Sequence, residues 1–293
     1  GLYYPRAQQF LDKQNFKIFR INSGGTKTLK ELVFVGLGLN DEKGISLKGL
    51  KETQTADNVF MELYTNLMPN FSLEAFEAQV SKKINLVARC ELEEENGARI
   101  LKATEKGKTV FLVPGDPLIA TTHVTLRIEA EKHGFKTRII HGASIISAII
   151  GLSGLHNYKF GKTVTIPLPE TPSETPYNVI AQNKKLGLHT LCLLDLKIDE
   201  NRFLTINEAL TTLSEIEKKR KEHIITPKTV AVGVARAGST TPILKADFTN
   251  ELSKHDFGGP PHSLIFPGDL HFMEAEALVT LAGAPKTLRR TAQ

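Results

Sequence analysis

No tryptophan occurs in the 293 residues, and cysteine occurs only twice, at Cys90 and Cys192. Two cysteines make neither a disulfide framework nor a metal site, so a reducing, cytoplasmic setting is expected. No apolar run reaches the roughly 18 residues that a membrane span needs. The first 30 residues also lack the apolar segment of a secretory signal. No pair of histidines has metal-ligand spacing, and no Ser–His–Asp order stands out. Charge of one sign is scarce beyond the amino terminus. Arg6, Lys13, Lys17, Arg20, Lys27 and Lys30 face Asp12 alone in that segment, which accounts for the whole formal charge of +5. Residues 31–293 are therefore formally neutral and carry no electrostatic footprint for a phosphate backbone, so direct nucleic-acid binding is not expected.

What is present fits a soluble globular chain: 41% hydrophobic and 24% charged residues supply a core without covalent staples. Apolar runs at 32–35, 58–64, 84–88 and 109–113 read as strands. They alternate with helical stretches at 46–55, 72–80 and 91–106, and with a further helix running to Gly134. Strands are expected again at 138–141, 163–167, 189–196, 229–235 and 262–266, with helices at 143–155, 177–186, 205–222 and 271–281. This rhythm argues for an α/β fold whose first half is a parallel sheet covered on both faces. Residues 1–31 read as a flexible extension, 32–137 and 138–286 as two α/β domains, and 287–293 as a tail.

Ligands in such sheets gather beyond the carboxyl ends of strands, where turns and helix starts meet. Gly36-Leu-Gly38-Leu-Asn-Asp41 follows the first strand, but a dinucleotide fingerprint needs a third glycine where Asp41 stands, and a carboxylate there would repel a pyrophosphate. A tight turn, or close backbone approach to a ligand without phosphates, remains. The fourth strand stops at Pro114-Gly-Asp-Pro117. Asp116 followed by proline makes a good helix cap. Alternatively the helix starts at Thr121 or Thr122, the turn is a loop, and Asp116 faces a cleft. The residues leave both open. His123 and His141 sit beside apolar residues, as packing histidines do. His262, after Gly258-Gly-Pro-Pro261, ends a rigid turn and could offer its ring or its backbone.

Taken together, GLGL at 36–39, GDPLIATTH at 115–123, HGASIISA at 141–148, GLHNYKFGKT at 154–163, GLHTLCLLDLK at 187–197, ARAGS at 235–239 and FGGPPHSLIFPG at 257–268 resemble the diphthine synthase family, in this order. That family lies within the tetrapyrrole-methylase superfamily of S-adenosylmethionine-dependent methyltransferases. The resemblance spans about residues 32–285. It implies two α/β domains with the cofactor in the cleft between them, and not a Rossmann methyltransferase. Carried onto matching positions, it implies cofactor contacts at Leu39, Asp116, Ile119, Ser144, Ile145, Leu194, Ala237 and His262. Leu39, Ile119, Leu194 and Ala237 would act through backbone groups and apolar walls, and Asp116 as the one carboxylate at the ligand. It also favours the loop reading of 114–117.

The implied reaction transfers methyl groups to the amine of an aminocarboxypropyl-histidine on translation elongation factor 2, giving diphthine on the route to diphthamide. Trimethylation by a homodimer is the favoured form. No catalytic base is implied, because a neutral amine needs none that is strong. Runner-up readings are a superfamily relative that methylates a tetrapyrrole or another small molecule, and a cofactor-binding protein without turnover. One departure concerns the loop after 163–167. The family often places aromatic residues there, whereas this chain has only Tyr177.

Overall fold

A computed structural model describes residues 30–291. The amino-terminal extension expected to be flexible falls, through residue 29, outside the described residues. The first sheet joins β1 (Glu31–Gly36), β2 (Asn58–Met61), β3 (Asn85–Leu86), β4 (Lys108–Val113) and β5 (Lys136–Ile140) in the order β3-β2-β4-β1-β5, every pairing parallel. Alternation sorts its side chains. Leu32, Phe34, Phe111 and Val113 face one core, and Val33, Val35, Val110 and Leu112 face the other. Helices Ala98–Thr104 and Val124–Lys132 cover the first face through Ile100, Leu101, Leu126 and Ala130, and helix Leu73–Val80 covers the second through Phe76 and Val80. Each fully buried side chain of this size contributes about 2 kcal/mol, which makes both faces necessary to the sheet.

Three expectations change here. The strand expected at 58–64 ends at Met61 because the Glu62 carboxylate accepts the amides of Tyr64 (2.9 Å) and Thr65 (3.0 Å) and curls the chain out of the ladder. The helix expected at 91–106 is two, Arg89–Glu93 and Ala98–Thr104, because Asn96 and Gly97 take left-handed φ values of 53° and 68°. The strand expected to open the second half is β5. It pairs with β1, so a boundary at 137/138 would cut a strand of the first sheet.

The second sheet runs β11-β10-β12-β7-β6, from β6 (Val164–Ile166), β7 (Thr190–Leu194), β10 (Val230–Ala235), β11 (Ile243–Phe248) and β12 (His262–Phe266). It is antiparallel except for β6 beside β7. A small hairpin, β8 (Leu196–Lys197) with β9 (Arg202–Phe203), follows β7. Helices Thr175–Lys185 and Ile206–Arg220 pack Ile180, Leu210 and Leu213 on one face of this sheet, and helices Ile145–Ser153 and Phe272–Leu281 pack Ile149, Ala275 and Leu278 on the other. Of the carboxyl-terminal residues expected to be a tail, Leu288 is buried in the second core and Arg289 pairs with Glu276 at 2.6 Å. No helix among the described residues is long and apolar enough to cross a membrane.

Candidate active site between the two sheets

A cavity of about 250 Å³ opens where the carboxyl ends of β1 and β4 meet the end of β7 and the start of β12. Glycine makes the meeting possible. Gly38 and Gly115 exchange both backbone hydrogen bonds, at 3.2 and 2.7 Å. A Cβ on Gly36 would stand 2.5 Å from the Gly115 carbonyl and 2.6 Å from the Gly142 amide, so three strand ends touch only because none carries a side chain. Asp41, three residues past Gly38, accepts the Lys43 amide and caps a short 3₁₀ turn. The Gly36–Gly38 segment is thus a tight turn at the rim of the cavity.

The loop reading of Asp116 holds. The helix starts only at Val124, behind His123. Asp116 Oδ1 accepts the Leu118 amide at 3.4 Å, and Oδ2 lies 2.7 Å from His141 Nδ1. The carboxylate is buried while the His141 ring is largely exposed, so Asp116 is fixed at the cavity wall by a partner that follows β5, on the far side of β1. His141 therefore binds Asp116 and does not pack in a core. Ala120, with φ of 58°, bends the same loop into the cavity.

Seven of the eight expected contacts line this cavity: Leu39, Asp116, Ile119, Ser144, Ile145, Leu194 and His262. Ser144 is the cap of helix Ile145–Ser153, its Oγ accepting the Ile146 amide at 3.3 Å. His262 takes the Ile206 amide on Nδ1 (3.4 Å), which leaves the proton on Nε2 for the Gly258 carbonyl (3.1 Å). Burial holds this ring below its ordinary pKa, so it stays neutral and offers the cavity its backbone and one edge. Ala237 stands outside the lining and packs toward the second core. Its neighbour Gly238 does the close work, because a Cβ there would lie 2.3 Å from Leu39 Cβ. Arg236 locks that turn, its amide donating to Pro261 (2.9 Å) and its guanidinium to the Phe257 carbonyl (2.9 Å).

Comparison with known proteins agrees with this architecture. The family model described as Tetrapyrrole (Corrin/Porphyrin) Methylases matches residues 31–243. Diphthine synthase of Methanosarcina acetivorans is 48% identical over 261 residues, 87% of this chain and 97% of that one. Diphthine synthase of Methanococcoides burtonii is 47% identical over 262 residues, with the same shares covered. A crystal structure of diphthine synthase, 43% identical, superposes with a TM-score of 0.81 and covers 89% of this chain and 100% of that chain. The chain belongs to the diphthine synthase family. Its α/β architecture, with a glycine-turned parallel sheet and a mixed sheet, is that of the tetrapyrrole methylases and not a Rossmann methyltransferase.

Some groups at this diphthine synthase-family cavity were not anticipated. Asp195 follows β7 as Asp116 follows β4, so Asp116 is not the single carboxylate in the lining. Its oxygens accept the amides of Leu196 (2.9 Å) and Leu168 (3.4 Å). The strand expected over 189–196 hid Asp195, because β7 ends at Leu194 and leaves the carboxylate just beyond it. Thr65 and Asn66, from the segment after β2, and Arg89, which opens the helix after β3, also reach the cavity, and nothing in their local sequence distinguishes them. Tyr177, the one aromatic in the proline-rich stretch, is fully buried and donates to Glu217 at 2.7 Å, so it presents no aromatic surface to a substrate.

Proposed function

We propose that this cavity holds S-adenosylmethionine and that the chain methylates the amine of an aminocarboxypropyl-histidine on translation elongation factor 2, giving diphthine by trimethylation. One observation carries the reading: five of the seven family-like motifs, spread from Leu39 to His262, contribute residues to a single cavity between the sheets. The lining suits a cationic, largely neutral-bodied donor. Leu39, Ile119, Ile145 and Leu194 supply apolar walls, Asp116 and Asp195 supply two negative charges against the single positive charge of Arg89, and the neutral His262 adds none.

When bound, the cofactor supplies an electrophilic methyl group on a sulfonium. The chain supplies position and dryness. Apolar walls exclude water from the approach of a neutral amine, and groups fixed by backbone hydrogen bonds need no reorganisation during transfer. Asp116, held by His141 and the Leu118 amide, would anchor polar or cationic parts of the donor. Homodimer formation and a cytoplasmic location complete the proposal. The exposed Tyr158, Phe272 and Met273, linked through the neighbouring rings of His156 and His271, fit a face covered by a second copy.

Methyl-labelled cofactor mixed with precursor-bearing elongation factor 2 tests the reading. Label on the factor, with a mass gain of three methyl groups, is the expected result. Label in a small acceptor alone, or tight cofactor binding without transfer, would overturn it.

A further inference from the structure

Beside the cavity lies a buried polar group that the reading above does not use. Glu62 and His123 are almost wholly buried, with Glu62 Oε1 3.9 Å from His123 Nε2. Their donors can be assigned. His123 Nδ1 lies 3.3 Å from the Pro117 carbonyl, an acceptor only, so Nδ1 carries the proton and Nε2 is a bare lone pair. Nε2 has no hydrogen-bond partner, and neither has the buried Tyr64 hydroxyl, whose ring meets His123 edge-on at 6.4 Å. Glu62 Oε2 is committed to the amides of Tyr64 and Thr65. Glu62 Oε1 accepts the Thr65 hydroxyl proton on one side and faces the empty Nε2 on the other. Two buried acceptors therefore face each other 3.9 Å apart with no donor assigned between them. Leaving them so is costly unless a proton arrives. Thr65 itself lines the cavity.

The geometry points to Thr65, Glu62 and His123 as a proton exit for the methylated amine. The inference rests on the proposed activity. After each of the first two transfers the product is an ammonium, which must lose a proton before its nitrogen can attack again. In the proposed step the ammonium N–H bond breaks and its electron pair stays on nitrogen. The proton passes to Thr65 Oγ1 as the proton of Thr65 passes to Glu62 Oε1, so the carboxylate becomes a carboxylic acid on the side that faces the unprotonated His123 Nε2. The proton returns to solvent through the same hydroxyl during product exchange. The third transfer leaves a quaternary ammonium with no proton to give. Burial raises the Glu62 carboxyl above the ordinary carboxylate range, toward the affinity a general base needs. The charged and titratable groups around it are Arg89, whose guanidinium lies over the Tyr64 ring, Tyr64 and His123. Thr65 is the group that meets the substrate, and Glu62 acts through it.

Thr65→Val removes the relay and Thr65→Ser restores it. Calorimetry and a melting curve should show cofactor affinity and stability within about twofold and a few degrees of the unaltered chain. The rate of second and third methylation in Thr65→Val should fall about a hundredfold near neutral pH. Mass spectrometry should find monomethyl product accumulating, and the loss should shrink as the pH is raised and solvent takes the proton. Glu62→Gln, with nearly the same shape, should behave alike and guards against a packing effect of valine. Without any cofactor, nitrogen NMR should find His123 protonated on Nδ1 and bare at Nε2. An equal loss at every pH, an unchanged methyl ladder, or a proton on His123 Nε2 would overturn the relay. No transfer by the unaltered chain would instead defeat the reading of function.

Discussion

His189 Nε2 lies 2.9 Å from Glu274 Oε1, and both side chains are wholly buried. His189 Nδ1 accepts the Gly268 amide at 2.9 Å, which fixes the proton on Nε2 and aims it at the carboxylate. The amide of His156 (2.8 Å) also donates to Oε1, while Lys159 Nζ (2.6 Å) and the amide of His271 (2.9 Å) donate to Oε2. One carboxylate thus pins the start of helix Phe272–Leu281 to β7 and to the 156–159 turn. Glu274→Gln keeps the volume but turns two acceptor sites toward donors. Denaturant titration should show a loss of about 3 kcal/mol, the size expected when one partner of a buried charged network is removed. A change under about 0.5 kcal/mol, the scale of ordinary surface substitutions, would show that the network is dispensable.

Acid should weaken the fold early. Burial holds His123 down to about 4 and also lowers His189 and His262 from the ordinary 6.5. The unfolded chain binds protons near pH 6.5 that the fold refuses, so the stability these rings contribute is complete above 6.5 and is lost as pH falls toward the folded values. Glu62, raised by burial, has the opposite sign, one group against three. Glu274, held at about 2 by Lys159, two backbone amides and His189 despite the opposing effect of burial, keeps its contribution until far lower pH. Melting temperature should therefore decline between pH 6.5 and 4. A flat profile across that interval contradicts neutral, buried rings.

How far the sequence could be read depended on the range of the interaction. The strand at 109–113 was legible because its apolar side chains adjoin in sequence, and β4 begins one residue earlier. The Asn96-Gly97 break carried an ordinary turn signal inside a charged stretch that otherwise reads as helix. The end of β2 was not legible, because a glutamate capturing the amides two and three residues on looks like any exposed charge. β11 was missed: it is flanked by turns and half exposed, and pairs only with β10, so little apolar patterning marks it. The antiparallel sense of the second sheet depends on which distant strands meet. At the site, Asp116 was legible as a candidate, but its His141 partner became visible only when β4 and β5 were set on either side of β1.

Asp116→Ala should weaken cofactor binding without unfolding the chain. The substitution removes a charge at the cavity wall and frees an exposed histidine rather than a buried one. A charge-assisted contact of this kind contributes about 2 kcal/mol, or some thirtyfold in affinity. Calorimetry should register that loss while the melting temperature moves by only a few degrees. Unchanged affinity would remove Asp116 from the binding groups.

Gly238 tests whether the second sheet shapes the wall that the first sheet presents. A methyl group at this position would arrive 2.3 Å from Leu39 Cβ and 3.2 Å from its backbone. The turn carrying Gly238 cannot retreat freely, because Arg236 ties it to Phe257, Gly259 and Pro261. Leu39 must yield instead, and it sits on the turn whose Gly38 is bonded to Gly115. Gly238→Ala should therefore reduce cofactor affinity about tenfold or more, and do so through Leu39. Overpacking of this size costs about 1–3 kcal/mol. Combining it with Leu39→Gly, which removes the Cβ that the methyl meets, should recover part of the affinity that Gly238→Ala loses. If the two losses simply add, the turns are not in register across the cavity, and Leu39 is not held by the second sheet.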